Sequence, residues 1–562
     1  MKTLFPASAL LASTIGRIGL VGCLLAASCS SDKSSGDAAA GSAGASTAGS
    51  GGSAAGSGNN GGSSGMTTSA GSAGMTSSGG SAASATDSVL ERNNHASRDG
   101  HFMRPALTLD AIPNFSTDTG FAASFTGNMW ASPVFLESSG EHKGLFFAVT
   151  TSNDVIALDE TSGALVWKTN LGDSPTKNGV NCGSIHPLGI LGTPVIDAAT
   201  RTIYVAGAIG TTSIAKHEIH ALGVDDGKER AGFPIDVTGM TSGTQTFAPP
   251  PQNQRSALSL VNGKLYVAYG GHVGDCGPYH GWVVAIDTTD PTKHGAWASL
   301  GQGEGIWAAG GMASDGTSVF AVTGNSTVGA SDRSNSDSEQ LVRLSGLAEL
   351  TRNEQNLYFP TTWKTMDDAD ADFGSSNPIY LTIPGSTPAN YVAAVAKDGH
   401  LYLLNATNLG GMGGQTMDFT VSTGAMSVHT SPASYSTSKG VHFVLSTDSG
   451  SVCPSGSADG GGQAVVSVLF SAGSPPTAKV EWCAPLAGEV TAPVATTTDG
   501  TSNAAVWFVS AGKLMAVDGD TGKSLYTSSD SCADVRRWTS PIAVKNRVVV
   551  GGDNHLCSWS VH

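Results

Sequence analysis

One strand–turn–strand grammar recurs eight times between residues 130 and 562, and it fixes the kind of fold open to this chain. The clearest copy occupies residues 132–172, where "SPVFL", "LFFAV", "DVIALD" and "LVWKTN" are four short runs in series. Later copies open on "TPVID", "SALSLVNG", "GMASDG", "NPIYLTI", "SPASYST", "APVATTT" and "SPIAVKN". The steadiest marker is a small or polar residue and Pro before the first strand: Pro133, Pro194, Pro378, Pro432, Pro493 and Pro541. Where neighbouring units both carry it, the spacing runs from 48 to 61 residues. Pro is tolerated at the start of a strand, where its missing N–H matters least. A second marker, "DETSG" or "DGDTG", lies between the third and fourth strands; Asp caps the turn and Gly takes its positive φ.

Such a unit cannot bury both faces alone, and stacking copies in a ring covers them. The sequence therefore predicts an all-β protein, an eight-bladed β-propeller of four-stranded antiparallel blades. Two β-sandwiches of about 230 residues each are the competing arrangement, but sandwiches do not need eight copies of one grammar. The eighth unit ends short of a fourth strand. Residues 104–112, "RPALTLDAI", are expected to supply it and close the ring with strands from both chain ends.

The propeller is expected to occupy residues 89–562. Before it, residues 29–88 are almost wholly Gly, Ser, Ala and Thr, with too little apolar surface to offset the entropy of ordering. That composition reads as a disordered tether. Residues 1–28 carry Lys2 and Arg17 ahead of the uncharged "IGLVGCLLAAS", too short to span a bilayer and suited to the h-region of an export signal. A Cys followed by a polar tether resembles a bacterial lipoprotein signal. Cys29 is preferred as the lipidated residue, with Cys23 as the alternative. An ordinary secretory signal without lipid is the other reading. The expected location is the outer membrane, facing periplasm or surface, with contact to the membrane through the lipid alone.

Six cysteines lie in the repeats. There is no CxxC and no CxxCH, so zinc-knuckle, thioredoxin-like and c-type haem sites lack support. In an oxidising compartment disulfides are expected. Six thiols allow about fifteen connectivities; positions within the repeats favour Cys182–Cys276, Cys453–Cys483 and Cys532–Cys557. The net charge of −16, with Arg536–Arg537 the only adjacent basic pair in the repeats, excludes a phosphate-tracking nucleic-acid surface.

The stretch "SPVF…GLFFAVTTSNDVIALDETSGALVWKTNLG" resembles the repeat of pyrroloquinoline-quinone-type (PQQ-like) β-propellers. The stretches "NCGSIHPLGILGTPVID", "DCGPYHGWVVAID", "GEGIWAAGGM", "DADFGSSNPI" and "AKDGHLYLLNATNLGG" are similar to exported bacterial members. The resemblance implies the eight-bladed fold. It leaves two functions open, because the same fold serves quinoprotein dehydrogenases and non-catalytic envelope lipoproteins. One is a monomeric binding or scaffolding module for an envelope protein, a small molecule or a polysaccharide. The other is a PQQ- and calcium-dependent dehydrogenase acting on an alcohol or sugar. The adjacent-Cys disulfide common in those enzymes is missing.

Candidate ligand residues follow. "CGPYHGW" offers Tyr279, His280 and Trp282, and "CGSIHPLG" offers His186, which a Cys182–Cys276 bridge would bring near. Arg255, at the start of the third unit, is placed to grip a carboxylate or a quinone acid group, or else to pair with a neighbouring blade. Trp307 is a candidate stacking floor or inter-blade wedge. "MDDADADFG" offers Asp368, Asp370 and Asp372 to a cation, although Phe373 and Ile379 stand where an EF-hand needs Gly and Glu. An acidic loop with Asx-type turns is the simpler reading.

Overall fold

The computed structural model describes residues 87–329, 332–455 and 461–561. The signal, the tether up to residue 86 and both candidate lipidation sites, Cys23 and Cys29, lie outside the described residues. No helix among the described residues is long and apolar enough to cross a membrane.

The expected grammar folds as eight antiparallel sheets, numbered here as blades. They span residues 134–170, 195–236, 259–298, 313–359, 379–420, 433–485, 494–527 and 542–560. In each, strands pair in sequence order. First strands contact one another between blades 1, 2 and 3 and between blades 4, 5, 6 and 7, and so lie along a central axis. The apolar runs are explained by two-sided burial. In Leu145–Val149, Phe146 and Ala148 enter the cluster shared with blades 7 and 8, while Leu145, Phe147 and Val149 enter the one shared with blade 2. Successive side chains point to opposite faces, and both faces meet a neighbour. The core is thus a set of blade interfaces.

The Ser/Thr-Pro marker acquires a role here. Ser132 N–H donates to Thr193 Oγ1 at 3.0 Å, linking blades 1 and 2. Ser540 N–H donates to Ser132 Oγ at 2.9 Å, linking blade 8 back to blade 1. The "DETSG" turn is likewise structural. Asp159 Oδ1 accepts from the N–H groups of Thr161 and Ser162, and Gly163 holds φ +71°. Trp167 donates Nε1–H to Val224 O of blade 2 at 2.8 Å and packs between blades.

Ring closure uses both chain ends, with one correction. Residues 104–112 form no strand. The missing fourth strand of blade 8 is made by Ser116–Thr117 and Ala123–Ser124, both antiparallel to His555–Ser560. Pro105 and Pro113 bracket the expected segment, and its turns deliver Leu107 and Ile112 to the core between blades 7, 8 and 1. Proline removes ladder donors, which disfavours a paired strand there.

A feature without any periodic signal organises the centre. Residues 87–104 enter the channel and contact the first strand of every blade, or the residue just before it. Val89 pairs with Phe135 of blade 1, and Leu90 O accepts from Ile196 of blade 2. Ala96, Ser97, Asp99 and Gly100 carbonyls accept from Ser314, Tyr380, Ser434 and Ala495 of blades 4 to 7. Arg98 reaches Leu258 O and Ser259 of blade 3, and Arg104 reaches Ala543 O of blade 8. His101–Met103 then runs parallel to Val494–Thr497. This plug fills the axis.

Candidate functional site at the channel mouth

First strands run away from one end of the ring. The loops that lead into them, and those that follow second strands, meet at that end. Arg255, Trp307, Asp370, Asp372, His429 and Trp538 come from the first set; His272, Asp275, Asn325 and Lys397 come from the second. With Tyr279 they line a cavity of about 240 Å³. Pockets for drug-sized ligands run from roughly 300 to 1,000 Å³, so this one suits a compact molecule.

Arg255 is the anomaly of the site. It is 7% exposed, and its guanidinium lies over two indoles, 4.7 Å from the Trp538 ring centre and 5.8 Å from that of Trp307. No carboxylate pairs with it among the described residues, and Nη2 has no hydrogen-bond partner. Burial pushes its pKa down to about 10. A desolvated cation without a counter-charge is expensive; the indoles offset part of this through their quadrupoles.

Lys397, by contrast, is neutralised. Its Nζ lies 2.7 Å from Asp370 Oδ1 and 2.7 Å from Asp372 Oδ2, and 5.6 Å from the Trp307 ring centre. Burial opposes the ammonium, but Asp372 and Asp370 hold its pKa above the usual lysine range. Asp372 is fixed further by the Asn325 N–H at 2.8 Å. Behind it, Glu339 accepts the Phe373 N–H, and its Oε1 is unpartnered. Burial, then the Asp372 charge, push the Glu339 carboxyl well above its ordinary range. Burial raises the Asp372 carboxyl as well, against the lowering effect of Lys397. At the far wall, Tyr279 donates its hydroxyl to Asp275 Oδ1 at 2.6 Å. Burial holds the nearby His272 neutral, with its pKa lowered to about 4.

Of the expected residues, Arg255, Tyr279, Trp307, Asp370 and Asp372 meet in this cavity. Four others do not. Trp282 is fully buried in the interface of blades 2 and 3, because its strand turns that side towards blade 2. His280 lies outside the lining, with Nδ1 unpartnered and its pKa lowered by burial. His186 is exposed on its loop, close enough for its charge to act on His272 but not lining the cavity. Asp368 is exposed on the helix Trp363–Ala369 and pairs with Lys364. The acidic run is thus partly helical, and its three carboxylates do not converge on one point. The residues not foreseen are Lys397, Asn325, Asp275, His272, His429 and Trp538. Each stands in a loop that leads into a first strand or follows a second one, as Arg255 does.

The cysteines join as Cys182–Cys276, Cys453–Cys483 and Cys532–Cys557, the pairs that the repeat positions favour. The first ties two mouth loops together, with the Gly183 N–H on Val273 O at 3.0 Å. A larger groove of about 810 Å³ lies on the rim between blades 3 and 4, lined by Trp297, His294 and Arg352. Its one lining guanidinium is already paired, Arg352 with Asp337 at 2.6 Å, so it lacks the unsatisfied charge that marks the mouth.

One buried carboxyl near the site makes a pH prediction. Glu304 accepts from Ser336 Oγ–H at 2.6 Å and from the Gly301 N–H at 2.8 Å, yet burial raises its pKa to about 7. Between the unfolded value and about pH 7 the folded state binds the extra proton. Its contribution to stability is therefore full in acid and lost as pH rises through that window, by about 3 kcal/mol. Glu304→Gln should flatten this part of the pH–stability profile, measured by urea midpoints from pH 4 to 8. Parallel profiles for the two proteins would assign the window to another group.

No family model matches the sequence, and a search of curated proteins finds no relative. Solved structures do match. The chain is an eight-bladed β-propeller of the architecture seen in quinoprotein dehydrogenases. It is similar to a quinohemoprotein alcohol dehydrogenase of Pseudomonas putida HK5, at 13% identity over 84% of this chain and 80% of that one, with a TM-score of 0.59. It is similar to the quinohemoprotein alcohol dehydrogenase of Comamonas testosteroni, at 13% identity, 85% and 81% coverage and TM-score 0.53. A europium-containing methanol dehydrogenase matches at 14% identity, 82% and 89% coverage and TM-score 0.53. At these identities the likeness is one of fold.

Proposed function

We propose that this propeller is a cell-envelope binding module whose ligand is a compact planar acid held in the channel mouth. The observation that carries the reading is Arg255, buried against Trp307 and Trp538, with Nη2 unpartnered and no carboxylate paired with it among the described residues. A ligand carboxylate on the guanidinium would neutralise it with charge-assisted hydrogen bonds, and the indole faces favour a flat body. The export signal, lipidation at Cys29 (or Cys23), outer-membrane location and monomeric state belong to the same proposal.

PQQ, the planar quinone after which the resembled repeat family is named, is the first ligand to test. Arg255 and Trp307 fit its acidic, aromatic character. The cation half fits less well. Asp370 and Asp372 both face Lys397, and no three His, Cys, Asp or Glu groups at the mouth converge closely enough to hold an ion among the described residues. A dehydrogenase is the second reading, favoured by Asp372, a buried carboxylate placed to accept an alcohol proton. In that reading the quinone would supply the two-electron acceptor.

The test mixes purified protein with PQQ, with and without calcium, and follows quenching of indole fluorescence and alcohol-dependent dye reduction. Binding at micromolar or lower Kd, independent of calcium and without turnover, is expected. Turnover would install the dehydrogenase instead. Absence of binding by folded protein at millimolar PQQ would remove PQQ under both readings.

A further inference from the structure

On the same end of the ring, but in blade 8, Cys532, His555 and Cys557 form a group that the mouth does not use. The two sulfurs and one ring nitrogen of His555 all lie within 4.8 Å of one another. His555 Nε2 is 3.5 Å from Cys532 Sγ. Three elements bring them together. Cys532 lies in the loop after blade 7, anchored by its N–H on Gly512 O at 2.8 Å; His555 opens the third strand of blade 8; Cys557 follows two residues later, on the same face of that strand. His555 packs on Gly552, where an added Cβ would come within 3.0 Å of Nε2, so a glycine is what leaves the ring its place.

In this structure the two sulfurs are joined as a disulfide, and a disulfide is not a metal-binding thiolate pair. Reduction changes the chemistry. A dithiol reductant gives the bond two electrons and two protons and is itself oxidised to a disulfide; Cys532 and Cys557 become thiols. A borderline-soft divalent cation then displaces both thiol protons and takes two thiolates and the neutral imidazole as ligands. Cys₂His is a recognised three-ligand set for zinc, with Zn–S near 2.3 Å and Zn–N near 2.0–2.1 Å, leaving one position for water.

We infer that Cys532, His555 and Cys557 form a redox-gated zinc site, closed when the disulfide is intact and open when it is reduced. The nearby imidazole separates this pair from the other two disulfides. Neither Cys182–Cys276 nor Cys453–Cys483 belongs to such a three-ligand group among the described residues.

The experiment titrates Zn²⁺ into the folded protein, oxidised and then reduced with a phosphine, against a chromophoric chelator. Co²⁺ serves as a second probe for its thiolate charge-transfer absorption. Reduced wild type should bind one equivalent and the oxidised protein none. His555→Ala should weaken reduced-state binding about tenfold or more, and Cys532→Ser/Cys557→Ser should abolish it. A Cys182→Ser/Cys276→Ser variant should bind as wild type does, which removes that pair as the source of the thiolates. Equal zinc affinity in His555→Ala and wild type, or no thiolate–cobalt band in the reduced protein, would overturn the assignment.

Discussion

Arg255→Met is expected to strengthen the fold and to destroy the binding site in a single change. Arginine here has no carboxylate partner among the described residues and is almost fully desolvated. Methionine of similar length keeps contact with Trp307 and Trp538 and removes the stranded charge. Replacing buried charge by apolar volume is often stabilising, while the two lost cation–π contacts pull the other way. The net gain is put at about 1–2 kcal/mol, read as a higher urea midpoint for the ligand-free protein. Affinity for PQQ or another planar carboxylate should fall about 100-fold, since a hydrogen-bonded charge is worth roughly 1.5–3 kcal/mol and the ligand's own carboxylate would be left desolvated. Arg255→Lys should fall between, because an ammonium lacks the flat fork that slots between indoles. A stability loss with unchanged affinity would make Arg255 a packing wedge and sink the ligand argument.

That contrast between Arg255 and its neighbours shows what could be read from the chain. Strand alternation and turn chemistry are local, so eight units follow from short stretches such as "SPVFL" and "DETSG", and the disulfide pairs from where the cysteines fall within those units. Arg255 and Trp307 are also legible, because a charged or large aromatic residue at the lip of a blade's first strand has few other uses. Lys397 and Asn325 are not. Each looks like an ordinary strand-end residue until blades far apart in sequence bring them to one cavity. Asp368 misleads for the opposite reason: the D-x-D-x-D spacing is regular, but Trp363, Met366 and Asp367 turn inward on a helical period and leave Asp368 in solvent. Ring closure was legible in principle and misplaced by some ten residues, since both segments belong to one aperiodic stretch ahead of the first blade.

The plug was invisible for a related reason. Residues 87–104 read "DSVLERNNHASRDGHFMR", polar and without period, because their partners are eight separate strands rather than each other. Arg98 is its keystone, and Arg98→Met should be the most damaging single substitution at the centre. The side chain is fully buried. Nε donates to Met312 O at 3.0 Å, Nη1 to Glu91 Oε2 at 2.7 Å and Arg92 O at 2.9 Å, and Nη2 to Leu258 O at 2.7 Å and Ser259 Oγ at 2.6 Å. Removing it strands the Glu91 carboxylate and several carbonyls, and breaking a buried pair from one side costs about 3–5 kcal/mol. The urea midpoint should drop accordingly. Glu91→Gln/Arg98→Met should recover part of the loss, because the amide needs no counter-charge, and the double-mutant cycle isolates the pair from the carbonyl bonds. A loss below about 1 kcal/mol would mean that the blades hold the ring without the plug. A loss of the expected size with no recovery in the double variant would place the plug's strength in the carbonyls of blades 3 and 4 rather than in the ion pair.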